Sequence, residues 1–241
     1  MSKPLRLGIA GLGTVGIGTV KIVQRHAELL ARRTGRAVTI SAVAARDRMK
    51  NRDADLSAYG WEEDPVRLAA REDIDVFVEL MGGSEGAALD ATRAAIAAGK
   101  DVVTANKAML AHHGHALAAE AEAKGRVIRF EAAVAGGIPV VKALTEGLAG
   151  NEIRRVMGVM NGPCNYIQTR MESAGLPYAE VFEEARQLGY LEADPSLDVG
   201  GIDAGHKLSL LAAIAFGTRV AFEAVELEGI GRISIDDIRR A

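Results

Sequence analysis

A single cysteine, Cys164, stands in a chain of 241 residues, which excludes an internal disulfide and gives no support to a metal site. Histidine is no better placed for a metal. His112, His113 and His115 fall in one helical stretch without partners at zinc-ligand spacing and read as helix-surface residues. An excess of one charge is also missing: lysine and arginine total 29 against 32 acids, a net charge of -3, so neither a basic nucleic-acid face nor a polybasic membrane tract is present. No apolar run approaches the length needed to span a bilayer, and the opening MSKPLRLGIAG enters a strand without the apolar core of a signal peptide, so a cytoplasmic location is expected. What the chain does have is 49% hydrophobic residues, enough to build cores for two modest domains or one large one.

Residues 5–10 read as a buried strand, followed by Gly11, Leu12, Gly13, Thr14, Val15 and Gly16 and a long amphipathic helix to about residue 33. This is G-x-G-x-x-G between a strand and a helix, where glycines let the backbone turn sharply and approach a pyrophosphate at a helix N-terminus. A second strand over 38–45 ends in Ala45-Arg46-Asp47-Arg48, where the ribose of an adenosine would lie. An acid there favours a free 2′-hydroxyl and an arginine a 2′-phosphate, so Arg46 tilts the cofactor toward NADP while Asp47 keeps NAD open. A solvated charge cluster over 46–50 fits the same residues. Strands over 76–80, 101–104 and 127–131 alternate with helices over 85–98 and 108–124, which predicts a doubly wound parallel sheet in a nucleotide-binding domain of residues 1–134. Met81 and Gly82 follow the third strand and permit close cofactor approach. Lys107 follows the fourth, at the carboxyl edge where such sheets bind ligands. The fifth runs through a glycine-rich hinge into a helix ending near residue 148.

Residues 135–241 read as a second, α+β domain. Its expected elements are a strand over 153–160, helices to about 174 and over 177–188, a loop, an apolar helix over 203–216, a strand over 220–227 and a short capped helix from Ser234. Polar residues concentrate at 189–208, GYLEADPSLDVGGIDAGHKL. Glu192, Asp194 and Asp198 sit in the loop, while Asp203 and Lys207 share one helical face. Carboxylates beside one lysine suit a substrate with an ammonium group and a reducible carbonyl: the acids hold the cation and the lysine meets the oxygen as charge develops on it. An ordinary surface ion pair fits the same spacing. Cys164 has no histidine beside it and reads as a packing residue.

The stretch resembles the signature of homoserine dehydrogenases, G-Y-x-E-x-D-P-x-x-D-x-x-G-x-D-x-x-x-K, and Thr104-Ala105-Asn106-Lys107-Ala108 resembles another pattern of that family. The resemblance implies NAD(P)-dependent interconversion of L-homoserine and L-aspartate 4-semialdehyde, a step in threonine, methionine and isoleucine synthesis. It makes Lys207 the proton donor, sets Glu192 and Asp203 against the substrate, lines the site with Tyr190 and Asp198, and turns Lys107 toward substrate and nicotinamide. It also implies a monovalent cation such as sodium on Glu131 and the carbonyls of Val134, Gly136 and Ile138, and a homodimer formed through the second domain. The family's second domain is longer than residues 135–241, so a C-terminally truncated chain is expected. Two positions depart from the pattern: Gly205 stands where alanine is usual, and Pro163, in Asn161-Gly162-Pro163-Cys164-Asn165-Tyr166-Ile167, stands where threonine is usual. Proline starts a helix well but brings neither hydroxyl nor N–H to a substrate. A non-catalytic nucleotide-binding module and a dehydrogenase for another small amino aldehyde remain alternatives.

Overall fold

The computed structural model describes residues 2–191 and 194–241, so Glu192 lies outside the described residues. The chain divides into two compact units, Met1–Lys142 and Ala143–Ala241.

The first unit is built on β1, Leu5–Ala10 (LRLGIA), from which the sheet spreads both ways. The helices α1, Thr14–Arg25, and α2, Ala27–Thr34, lead to β2, Val38–Ala44, which pairs parallel with β1. A short edge strand β3, Gly60–Glu62, and α3, Pro65–Ala70, come next, and the chain then crosses to the other side of β1 to form β4, Val76–Glu79. Then follow α4, Ala87–Ala97; β5, Asp101–Thr104; α5, Lys107–Ala123; and β6, Ile128–Arg129. All pairings are parallel in the order β3-β2-β1-β4-β5-β6, the expected doubly wound arrangement with its switch point between β1 and β4. Strand alternation sorts the core onto both faces. Leu7, Ile9, Val76 and Val78 pack with Val20 and Val23 of α1, while Ala10 and Phe77 face Leu68, Leu89, Ile96 and Met109.

The sequence expectation did not include β3 and α3, and it differs at the first helix and at the end of the sheet. The first helix is broken at His26 (φ -110°, ψ 22°); the apolar spacing runs on through Leu29 and Leu30 and hides the break, yet α2 buries no side chain. The last strand stops at Arg129, because Glu131 leaves the sheet to begin the short helix α6, Glu131–Val134, ahead of α7, Val140–Lys142, and a π-helical turn, Ala143–Gly147.

In the second unit α8, Gly162–Ala174, and α9, Tyr178–Gln187, pack through Ile167, Met171, Val181 and Ala185. They are followed by α10, Ser196–Val199; α11, Ile202–Phe216; and α12, Ile235–Arg240, which Ser234 and Asp237 start with a reciprocal capping box. The strands expected over 153–160 and 220–227 do not form: the first stretch is irregular, and the second holds a 3-10 turn, Phe222–Ala224. A strand needs a neighbour to take its backbone N–H and C=O groups, and among the described residues of this unit there is none. The alternating apolar residues that suggested a strand are left out of the core, Met157 at 76% exposure and Val159 at 77%. Among the described residues no helix is long and apolar enough to cross a membrane.

Candidate active site

At the switch point the three glycines of the first turn serve three different purposes. Gly11 adopts φ 93°, and a side chain there would collide with the Leu80 carbonyl at the end of β4. A Cβ on Gly16 would run into the carbonyl of Gly11, so the third glycine lets the helix sit against its own turn. Gly13 differs from both: nothing lies within 4 Å of where its Cβ would be. It is also the N-cap of α1 and offers no side-chain cap, so the first-turn N–H groups of Thr14, Val15 and Gly16 sit at a bare helix N-terminus. An open approach, a helix N-terminus and a positive dipole end together fit a dinucleotide pyrophosphate.

The opposite rim comes from the ends of β4 and β5. Gly82 and Gly83 both hold positive φ, 83° and 86°. Glu79, fully buried, accepts the Met81 N–H at 2.7 Å and the Gly82 N–H at 3.3 Å on Oε1, and the Thr104 hydroxyl at 2.5 Å on Oε2. Thr104 Oγ1 in turn accepts the Asn106 N–H at 2.9 Å. The Asn106 amide donates to the Gly83 carbonyl at 2.7 Å and caps α5 by accepting the Met109 N–H at 3.0 Å. Lys107 follows as the first residue of that helix.

Beyond β2, the Asp47 carboxylate is engaged by its own loop, accepting the N–H groups of Met49 at 2.8 Å and Lys50 at 3.2 Å. Arg52 closes the same loop by donating to the carbonyls of Lys50 at 2.9 Å and Asp47 at 2.5 Å, with its guanidinium 5.4 Å from the centre of the Trp61 ring. Arg46 stands just past the strand end. Glu131 is turned onto the start of α7, accepting from Val141 N–H at 2.8 Å and Lys142 N–H at 2.9 Å. A carboxylate has roughly four acceptor positions, so these two bonds do not saturate Glu131, while the Ile138 carbonyl accepts the Val140 N–H at 2.8 Å.

In the second unit, Lys207 and Asp203 are one turn apart on α11 and bonded at 2.7 Å, with side chains only 19% and 8% exposed. This is no solvated surface pair. The Lys207 ammonium also donates to the Met160 carbonyl at 2.7 Å. Asp203 Oδ2 takes a second donor, the Asn161 amide at 2.9 Å, and the same amide nitrogen donates to Asp198 Oδ1 at 2.8 Å. Asn161 thereby holds two carboxylates together, and its Oδ1 caps α8 through the Cys164 N–H at 2.9 Å. Pro163 lies in the first turn of that helix, where its missing N–H costs no intrahelical bond. Burial pushes the Cys164 thiol pKa up, with Asp198 and Asp203 adding to the effect, which suits packing rather than nucleophilic chemistry. Tyr190 is 53% exposed and packs against Tyr166, ring centres 4.6 Å apart and planes tilted by 43°. Gly205 admits Leu227 and Phe222 close to α11, since a Cβ there would lie 2.5 Å from Leu227 Cδ2 and 3.2 Å from Phe222 Cε2.

The structure thus brings Lys207, Asp203 and Asp198 together, and separately brings Gly11 to Gly16, Met81, Gly82 and Lys107 around one sheet edge. Sequence reasoning gave no role to Asn161, the Met160 carbonyl, Glu79, Thr104 or Asn106. Some signal was there: Asn161 precedes a glycine-proline helix start, and Glu79 and Thr104 are the polar last residues of apolar strands, directly opposite one another in register.

Each half of the chain matches a family description: residues 11–131 match "Homoserine dehydrogenase, NAD binding domain" and residues 139–241 match "Homoserine dehydrogenase". The homoserine dehydrogenase of Neisseria gonorrhoeae is 46% identical over 239 residues, 99% of this chain and 54% of that protein, and that of Bacillus subtilis is 43% identical over 98% of this chain and 54% of its own length. The chain therefore spans about half the length of the curated relatives it matches. Among solved structures, a homoserine dehydrogenase from Thiobacillus denitrificans superposes with a TM-score of 0.93 at 44% identity, covering 99% of this chain and 55% of that one. A hyperthermophilic archaeal homoserine dehydrogenase in complex with NADPH superposes with a TM-score of 0.82 at 26% identity, covering 96% of this chain and 75% of that one. On these matches the chain belongs to the homoserine dehydrogenase family.

Proposed function

We propose that the protein carrying this chain interconverts L-homoserine and L-aspartate 4-semialdehyde with NADP as the preferred cofactor, in threonine, methionine and isoleucine synthesis. One observation carries the reading: Lys207 is fixed between Asp203 and the Met160 carbonyl, with little exposure, instead of waving in solvent. An ammonium has three N–H donors. Two are committed to those partners, and the third serves the carbonyl oxygen of a substrate. The chain's own part in the reduction is to donate that proton as the oxygen gains charge. Asp203, Asp198 and Glu192 supply the acidic surroundings that hold the substrate's ammonium, with Tyr190 at the margin and Lys107 orienting the carbonyl. The nicotinamide cofactor, when bound, supplies or accepts the hydride. Gly11, Leu12, Gly13, Thr14, Val15 and Gly16 receive its pyrophosphate, and Met81, Gly82 and Lys107 flank its reactive end.

The preference for NADP rests on Arg46, just past the end of β2, where an arginine favours a 2′-phosphate. A hard monovalent cation such as sodium fits Glu131 and the carbonyls of Val134, Gly136 and Ile138, where it would brace the loop after β6. The working form is proposed to be a homodimer in the cytoplasm, with residues 1–134 as the cofactor domain and 135–241 as part of the catalytic domain.

The test is loss of reduced-nicotinamide absorbance when aspartate semialdehyde is added, run beside aldehydes one carbon shorter and longer. Turnover fastest on aspartate semialdehyde supports the proposal. Faster turnover on a neighbour would make it a dehydrogenase for another amino aldehyde, and cofactor binding without turnover on any of them would make it a nucleotide-binding module.

A further inference from the structure

A carboxylate with no exposed surface sits at the carboxyl end of β4, and the mechanism above gives it nothing to do. Glu79 is fully buried, and the three donors that hold it are neutral: two backbone N–H groups and one hydroxyl. Removing a carboxylate from water costs several kcal/mol unless strong hydrogen bonds answer it. A threonine or glutamine in a sheet whose only need was packing would be cheaper.

The bonds around it form a closed circuit. From Glu79 Oε1 the circuit passes to the N–H groups of Met81 and Gly82, along the backbone to the Gly83 carbonyl, across to the Asn106 amide, back through the Asn106 N–H to Thr104 Oγ1, and home to Glu79 Oε2. Two loops that follow different strands, 81–83 after β4 and 105–107 after β5, are thereby locked as one piece. Both glycines of the first loop have left-handed backbone that no side chain of their own maintains; the carboxylate holds Gly82 by its N–H, and Asn106 holds Gly83 by its carbonyl. Lys107 is covalently next to Asn106.

We propose that Glu79 is a positioning residue that sets the nicotinamide-flanking loops as a single rigid rim and touches neither cofactor nor substrate itself. The proposal rests on the nucleotide-binding reading of this sheet edge. Its role is confined to the nicotinamide half of the cofactor, since the adenosine half is received at the other side of the Gly11 turn.

The experiment titrates the protein with NADPH and with adenosine 2′,5′-bisphosphate, which has the adenosine half alone, for wild type, Glu79→Ala, Glu79→Gln and Thr104→Val. Glu79→Ala is expected to weaken NADPH by about tenfold or more, the scale of one lost charge-assisted bond, and adenosine bisphosphate by less than about twofold. Glutamine keeps an acceptor for Met81 and Gly82 and can donate to Thr104, so Glu79→Gln should recover most of the NADPH affinity. Thr104→Val cuts the circuit without removing the carboxylate and should weaken NADPH in the same selective way. Glu79→Ala and Thr104→Val binding NADPH like wild type, or losing both ligands in equal measure, would overturn the proposal while leaving the nucleotide reading in place. Wild-type protein that binds neither ligand would overturn the nucleotide reading, and this proposal with it.

Discussion

Gly13 and Gly16 belong to one motif, yet they should fail in different ways. A methyl group on Gly13 enters open space and its backbone, φ -78°, suits alanine, so Gly13→Ala should change stability by less than about 1 kcal/mol while weakening NADPH by about tenfold or more through loss of close approach. A methyl on Gly16 meets the backbone carbonyl of Gly11, so Gly16→Ala should also destabilise the fold, by about 1–3 kcal/mol. Urea midpoints measured beside NADPH titrations separate the two, and equal losses of stability would contradict the assignment of the open side to the ligand. Arg46 offers a second check. Arg46→Ala should weaken NADPH by roughly 10- to 100-fold, the value of one charge-assisted bond, and leave NADH nearly unchanged; parallel losses for both cofactors would remove Arg46 from the 2′-phosphate.

Between elements, β1 is tied to the start of β4 by Arg6, whose guanidinium and backbone N–H donate to Asp75 at 2.8 to 3.1 Å. Those bonds, the side-chain pair above all, pull the Asp75 carboxyl down to about 2. A carboxyl with a folded pKa below its unfolded value of about 3.9 contributes stability that is whole above that value and is lost as pH falls through the folded one. Asp75→Asn should therefore lower the urea midpoint at pH 7, and its gap from wild type should close as pH falls from about 4 to about 2; a gap independent of pH would show that the ion pair is not its source. Five of the six strands were legible because each apolar run and each flanking helix's periodicity are local signals; the three-residue edge strand β3 and the short helix α3 were not, being too brief to carry a pattern. In the second unit the same reasoning misjudged 153–160 and 220–227. Their alternation is real, as Met157 and Val159 show, but whether alternation becomes a strand depends on a neighbour that no local pattern reveals. The role of Asn161 has no local signal for a related reason: its two carboxylate partners lie 37 and 42 residues away.

At the scale of the whole molecule, the glycine turn belongs to the first unit and Lys207 to the second. The chain's family membership was legible from the 189–208 signature, which is long and chemically specific. The burial of the Lys207–Asp203 pair was not, because the same four-residue spacing describes a solvated pair. The most direct measurement is NADPH oxidation by aspartate semialdehyde for wild type and Lys207→Ala, with NADPH affinity determined for both. Lys207→Ala is expected to lose roughly 100- to 10,000-fold in turnover, the usual worth of a positioned general acid, while binding NADPH as wild type does; turnover close to wild type would contradict the account.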